Sequence, residues 1–279
     1  MDSYFSVSHI STGIYHIYEN SNVCCTLITG TDAALLIDTG YGFEDLPAFL
    51  RTITDLPLIL LNTHGHLDHT GGNFRFSETA LIHPAELSVY DLYQHDKVSM
   101  LAFLEKRYSA GKIKYPFPKN FNREFYLTYK QVPFSCAADG HIFDLGSRTL
   151  ETFLLPGHSL GSLSVFDHES GTLMAGDTID KSLWMMFDHS APPEELSGRL
   201  QLLKDKFPIR RILASHAKTP YPPEMLDAVI FAISHRNPEK DSIFVHPRHG
   251  YKALHHKEPV TGISGVNEIH LVYPFPKEK

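Results

Sequence analysis

The stretch Thr63-His64-Gly65-His66-Leu67-Asp68-His69-Thr70-Gly71-Gly72 sets three imidazoles and one carboxylate within six positions. Imidazole nitrogens and carboxylate oxygens are ordinary ligands for zinc and other divalent first-row ions. In an extended segment, residues two apart point the same way, so His64 and His66 can meet one ion. A turn at Leu67 lets Asp68 and His69 face a second. The alternative is a solvated loop of four polar residues, and the string alone does not choose between them.

The remaining candidates follow a regularity. Leu154-Leu155 runs into Pro156-Gly157-His158, Leu173-Met174-Ala175 into Gly176-Asp177, and Ile212-Leu213-Ala214 into Ser215-His216. Each time an apolar run ends and a single His or Asp stands at its carboxyl end. In layered α/β folds that rim is where binding groups collect on loops anchored by a stiff sheet. Seven groups emerge: His64, His66, Asp68, His69, His158, Asp177 and His216. Seven is too many for one tetrahedral ion and suits two ions sharing a carboxylate. No cysteine lies near them, which disfavours a thiolate site.

The elements that must carry these residues read as strands and helices in alternation. Gly13 to Tyr18, Val23 to Thr29 and Ala33 to Ile37 are short β-rich runs punctuated by Asn20-Ser21-Asn22 and Gly30-Thr31-Asp32. Phe43 to Thr54 reads as helical, and Pro57 opens the strand Leu58 to Leu61 that delivers the histidine cluster. Ala80 to His83 is a further short strand, with His83 read as a hydrogen-bonded structural residue. From Pro84 to about Gly111 the period turns helical, with Leu87, Tyr90, Val98, Leu101 and Leu104 as its apolar stripe. This segment and the aromatic, Pro-rich Tyr115 to Phe134 read as an insertion at about 84–134. It is either a lid over the pocket or a plain core helix with its loop. Strands return over His141 to Leu145, Thr149 to Leu155, Ser162 to Asp167, Thr172 to Ala175 and Arg211 to Ala214. Pro192 to Phe207 and Pro222 to Arg236 are helices, and Ser242 to His246 and Glu268 to Tyr273 close the chain as strands. No linker cuts the chain, so residues 1–279 are expected to form one domain.

Composition narrows the class. A chain of 279 residues with 42% hydrophobic and 20% charged content is long enough to bury a full core. A formal charge of −7 argues against a surface that holds nucleic acid by phosphate contacts. Cys24, Cys25 and Cys136 do not make a disulfide framework. Met1-Asp2-Ser3-Tyr4 opens no export signal and no stretch approaches eighteen apolar residues, so a cytoplasmic protein with no membrane span is expected.

These motifs together resemble the metallo-β-lactamase-fold hydrolase superfamily, and its glyoxalase II-like branch in particular. The resemblance rests on the Thr-His-x-His-x-Asp-His-x-Gly-Gly string, Pro-Gly-His158-Ser-x-Gly-Ser162, Ala-Gly-Asp177-Thr and Ser-His216. It runs from Asp38 through His216, most of the chain. It implies an α/β fold of the four-layer αββα sandwich type. It further implies that His64, His66 and His158 hold a first ion, Asp68, His69 and His216 a second, and that Asp177 bridges them. Asp38 matches a position that supports the histidine loop by hydrogen bonds from behind the ligands, or it simply caps a turn.

The expected chemistry is that of a dinuclear metal-dependent hydrolase, with two divalent ions, zinc first and iron or manganese as alternatives. A pair of such ions lowers the pKa of a bound water from 15.7 to about 7, roughly 12 kcal/mol in favour of a bridging hydroxide nucleophile. Asp68 and Asp177 are ligands that can also shuttle a proton to the leaving group. His66 stands where the superfamily's flavo-diiron reductases carry Glu, which disfavours redox chemistry. Asp177 counts against β-lactam hydrolysis as the main activity. A thioester or lactone-type small substrate is expected. A phosphodiesterase or nuclease of the same fold, and a non-catalytic metal-bearing binding protein, are the alternatives. Arg248 and Lys252 are candidates for a glutathione-binding basic cluster. Trp184, Met185, Met186 and Phe187 form either a pocket wall or core, and Tyr90, Tyr93 and His189 are candidate substrate contacts.

Overall fold

Alternation of apolar residues sets two faces on the larger sheet. The computed structural model describes residues 4–130 and 132–276. The first three residues, part of the stretch read for an export signal, and Gln131, inside the expected insertion, lie outside the described residues. The first sheet has seven strands in sequence order: β1 (Phe5–Ser11), β2 (Ile14–Glu19), β3 (Val23–Thr29), β4 (Ala34–Ile37), β5 (Leu58–Leu61), β6 (Ala80–Ile82) and β7 (Phe134–Cys136). Its pairs are antiparallel as far as β4 and parallel from β4 onward. Ile17, Leu27, Leu36 and Leu60 pack outward against helix α1 (Leu46–Leu50), whereas Ile14, Ile28, Leu35, Ile37 and Leu61 face inward. This is the period of two that a sheet buried on both faces requires.

The inward residues meet a second, five-stranded sheet in the order β13-β11-β10-β9-β8. Its strands are β8 (Ile142–Asp144), β9 (Thr149–Leu154), β10 (Leu163–Asp167), β11 (Thr172–Met174) and β13 (Arg211–Leu213). Val165, Met174 and Leu213 supply the shared interior, while Phe166, Leu173 and Ile212 turn outward to helices α6 (Pro193–Lys206) and α7 (Glu224–His235). Each fully buried leucine in these layers contributes roughly 1.5–3 kcal/mol. Helix α6 opens with a proline and Glu194-Glu195 and ends with Lys204 and Lys206, matching the helix dipole at both ends. The result is an αββα sandwich. A third sheet, β12 (Ser182–Trp184), β16 (Glu268–Tyr273), β15 (Lys252–Pro259) and β14 (Ser242–Val245) in that order, joins the outer helical layer.

Between β5 and β7 lie the short helix α2 (Leu67–Thr70), which carries Asp68 and His69, and three helices: α3 (Leu87–His95), α4 (Lys97–Ser109) and α5 (Arg123–Thr128). Tyr93, Met100, Leu101, Leu104, Phe117 and Tyr126 bury together against Tyr41, Phe43 and Leu67.

Several expectations shift. The helix read from Pro84 to Gly111 is interrupted at Asp96, which ends α3 and begins α4 at φ −100°, ψ 12°. The helix read over Phe43 to Thr54 shrinks to Leu46–Leu50, since Thr52-Ile53-Thr54 is β-branched and leaves the helix as a turn. Strands β1, β7, β12 and β15 are additions. In β15 the sequence Lys-Ala-Leu-His-His-Lys-Glu-Pro hides its alternation behind polar residues that stay partly buried. Among the described residues no helix is long and apolar enough to cross a membrane.

Candidate metal centre

Four strand ends and one short helix bring the seven residues together. His64 and His66 leave β5, Asp68 and His69 sit on α2, His158 follows β9, Asp177 follows β11, and His216 follows β13. Their ligand atoms fall into three groups within coordination reach: His64 with His66 and His158, His64 with His69 and Asp177, and Asp68 with His69 and His216. His66 Nδ1 lies 3.0 Å from His158 Nε2, and His216 Nε2 lies 3.1 Å from Asp177 Oδ2. Asp68 Oδ2 stands 3.7 Å from His69 Nε2 and 3.6 Å from His216 Nε2. Side chains from positions 64 to 216 thus converge on one place.

The outer edge of each ring is tied down, which fixes where its inner nitrogen points. His158 Nδ1 donates to the Trp184 carbonyl at 2.7 Å and His216 Nδ1 to the Asn22 carbonyl at 2.7 Å. His69 Nδ1 meets Asp38 Oδ2 at 2.8 Å, and His64 Nδ1 meets Thr63 Oγ1 at 3.1 Å. His66 differs, because its outer partner is a second imidazole, His189, at 2.8 Å. Asp38 does more than cap a turn. It sits at φ +61°, a region Asp tolerates better than most residues, and also accepts from Thr63 N and Oγ1.

Three inner atoms, His64 Nε2, His69 Nε2 and Asp177 Oδ1, are buried without a hydrogen-bond partner. They are half of the six such side-chain atoms among the described residues, so the shortfall is concentrated at one place. An unpaired buried polar atom costs about 1–3 kcal/mol. His158 Nε2 and His66 Nδ1 face each other nitrogen to nitrogen, so a proton or a cation must stand between them. Two ligands of one tetrahedral zinc-sized ion, each about 2.0–2.1 Å from it, stand roughly 3.3 Å apart. The donor set fits divalent ions.

The electrostatics divide. Burial, reinforced by neighbouring imidazoles, holds His64 and His66 well below the ordinary histidine range, and burial lowers His158 too. Burial also presses on His69 and His216, but carboxylates outweigh it. Asp177, Asp38 and Asp68 hold His69 well above its usual range, and Asp177 and Asp68 raise His216 to about 10. Burial works to raise Asp177, yet His216 and His69 hold it well below the usual carboxylate range.

His66, Asp68, His158, Asp177 and His216 form the floor of a cavity of about 430 Å³ whose walls include Tyr41, Tyr93, Met100, Phe103, Trp184 and Phe187. Trp184 and Phe187 are therefore wall residues, while Met185 is buried in the core. Arg107 and Lys181 also line it. Arg248 does so as well, but its guanidinium is bound to Asp96 at 2.8 Å. Lys252 is exposed on β15 and absent from the lining, and Tyr90 is buried against Phe134 rather than facing the cavity. His83 makes a local turn contact, its Nδ1 accepting from Ala85 N at 3.3 Å. Sequence reasoning missed Glu86, which binds the backbone of two ligand loops. The signal open to it was position, since Glu86 closely follows the end of β6 as the ligands follow their own strands.

A family model described as the metallo-beta-lactamase superfamily matches residues 20–216. The chain is similar to an acyl-coenzyme A thioesterase, MBLAC2, of Homo sapiens, at 28% identity over 77% of this chain and 82% of the relative. It is also similar to the hydroxyacylglutathione hydrolase GloC of Haemophilus influenzae, at 27% identity over 56% of this chain and 66% of the relative. Among solved structures, a metallo-beta-lactamase from Pontibacter korlensis superposes with a TM-score of 0.59 at 18% identity, covering 83% of this chain and all of that one.

Proposed function

The chain belongs to the metallo-beta-lactamase superfamily and is a metal-dependent hydrolase, and from that premise we propose that it hydrolyses small acyl thioesters at a dinuclear site. The observation that carries the reading is the cavity itself, whose floor holds five of the seven cluster residues and whose walls set Tyr41, Tyr93, Phe103, Trp184 and Phe187 beside basic side chains. Likeness to an acyl-coenzyme A thioesterase and to a hydroxyacylglutathione hydrolase supports a thioester over a lactone. Arg107 and Lys181, in no salt bridge among the described residues, suit an anionic carrier on the thiol side. The apolar wall suits the acyl side.

We assign His64, His66 and His158 to a first ion, Asp68, His69 and His216 to a second, and Asp177 to both. Zinc is the first choice, with iron and manganese acceptable to the same donors. When bound, such ions polarise the scissile carbonyl and make water a nucleophile near neutral pH. The chain's own residues do the rest. Trp184 O, Asn22 O, Asp38, Thr63 and His189 aim the five rings. Asp68, partly exposed at the cavity floor, is placed to take the water's proton and return it to the departing thiolate sulfur as the carbon–sulfur bond breaks. Phe187 and Trp184 limit water beside the reacting carbonyl. The three free cysteines are consistent with a cytoplasmic location.

The test is a panel of acyl-coenzyme A, lactone and bis(p-nitrophenyl) phosphate substrates, run with and without chelator beside elemental analysis. Chelator-sensitive turnover fastest on the thioester, with two ions per chain, is expected. Fastest turnover on the phosphodiester, or none on any substrate from metal-loaded protein, overturns the thioester reading.

A further inference from the structure

We propose that Glu86 is a positioning residue for the metal centre, its carboxylate fastening the loop that carries His64 and His66 to the loop that carries His158. Oε2 accepts from Gly65 N at 2.9 Å and Oε1 accepts from Gly161 N at 2.7 Å. Gly65 stands between two of the assigned ligands and Gly161 three residues after a third. These loops meet across a large sequence separation, with His66 Nδ1 and His158 Nε2 only 3.0 Å apart. Their other backbone tie is Leu163 N to Thr63 O, at 2.9 Å. One bond leaves a hinge, and a second two residues along each loop removes it.

The setting is built for this contact. Glu86 is fully buried, and no salt bridge to it occurs among the described residues. A buried carboxylate without a counter-ion must be compensated by hydrogen-bond donors, and the two glycine amides supply them. Neither position has room for a side chain. A Cβ on Gly161 would lie 2.8 Å from Glu86 Oε1, and one on Gly65 would lie 2.6 Å from Tyr90 N. The helix α3 begins directly after Glu86, so the carboxylate is held by an element that packs against Gly65 itself.

The proposal rests on the assignment of His64, His66 and His158 as ligands, and the test separates the two. Glu86→Gln keeps the volume but turns an amide N–H toward a backbone N–H, so one of the two bonds is lost. Chelator competition on folded protein should show affinity for one of the two ions falling by about tenfold to a hundredfold, the range for partners behind metal ligands. E86D, which keeps the charge but loses reach, should fall with it. Hydrogen exchange in the metal-free variants should speed up at Gly65 and Gly161 together. A buried carboxylate that only stabilises the fold would lower the melting temperature and leave the ion affinity of folded protein unchanged, and that result overturns the proposal. Wild-type protein that binds no ion overturns the ligand assignment and the proposal with it. If both variants fail to fold, exchange in the wild-type protein decides: slow amides at both glycines support the staple, and a fast amide at either one refutes it.

Discussion

The two halves of the site are built from different materials. His64, His66 and His158 are buried imidazoles whose surroundings hold them neutral. Asp68, His69, Asp177 and His216 alternate carboxylate with imidazole, and the His216 side chain is 33% exposed where the cluster opens to the cavity. The first half offers neutral nitrogen donors, whose hold on a cation depends on their placement. The second offers charge, which tolerates looser geometry because a carboxylate attracts a cation from any direction. Each half also has its own buried carboxylate behind it. Asp38 binds His69 and Thr63, and Glu86 binds Gly65 and Gly161. The difference teaches that rigidity matters most where charge is absent.

Removing Asp177, the member we propose to be shared, should erase the distinction. Asp177→Ala is expected to reduce bound metal from two ions to one and to abolish thioester turnover, read by elemental analysis beside the assay. Retention of both ions would mean that Asp177 is not shared. Asp68→Asn keeps the shape of the second half and removes its proton carrier. Turnover should fall by roughly 10²–10⁴-fold, with KM little changed, and a loss below tenfold would move the proton transfer elsewhere. Asp38→Asn keeps the left-handed backbone, which Asn also tolerates, and weakens the hold on His69. Affinity should drop by about 10–100-fold in chelator titrations, most at the ion that Glu86→Gln leaves alone, because Asp38 holds His69 directly and His64 only through Thr63. If both variants weaken the same ion most, the two halves are not separately braced.

A separate effect concerns folding. Glu19 is buried behind the second half, accepting from Ser21 Oγ and from Tyr41 N at 3.1 Å, and burial raises its carboxyl to about 7. Between about pH 4.5 and 7 the folded chain holds a proton that the unfolded chain has released. Its contribution to stability is therefore full at low pH, falls as pH rises through that window and is lost above it. Glu19→Gln should flatten this slope in thermal melts and gain up to about 3 kcal/mol at pH 8. An unchanged slope would assign the pH dependence to other groups.

The candidate site was legible because its residues obey a rule that sequence displays, namely an apolar run that stops at a single His or Asp. His158, Asp177 and His216 each stand a few residues beyond a strand that ends on apolar side chains, Phe153-Leu154, Leu173-Met174 and Ile212-Leu213. The supports behind the ligands were less visible. Asn22 and Trp184 act through backbone carbonyls, which any residue carries, and His189 acts by a ring-to-ring contact across 123 positions. In the sequence nothing sets Glu86 apart from the other charged residues of its helical stretch. The outer strands failed for a related reason. In β1 the four residues Ser-Val-Ser-His are all exposed, so no alternation shows there. Asp96, where the helix breaks, is paired with Arg248, 152 positions later, a partner that no local pattern contains.

Gly65 has a mechanical consequence. With Tyr90 N, the Glu86 carbonyl and Val89 all within about 3 Å of where its side chain would begin, the loop bearing His64 and His66 has no clearance from α3. Tyr93, on the same helix, lies with its ring centre 4.1 Å from that of His66. Wall and floor on this side therefore shift as one body, and any flap-like opening of the cavity has its pivot no earlier than Asp96.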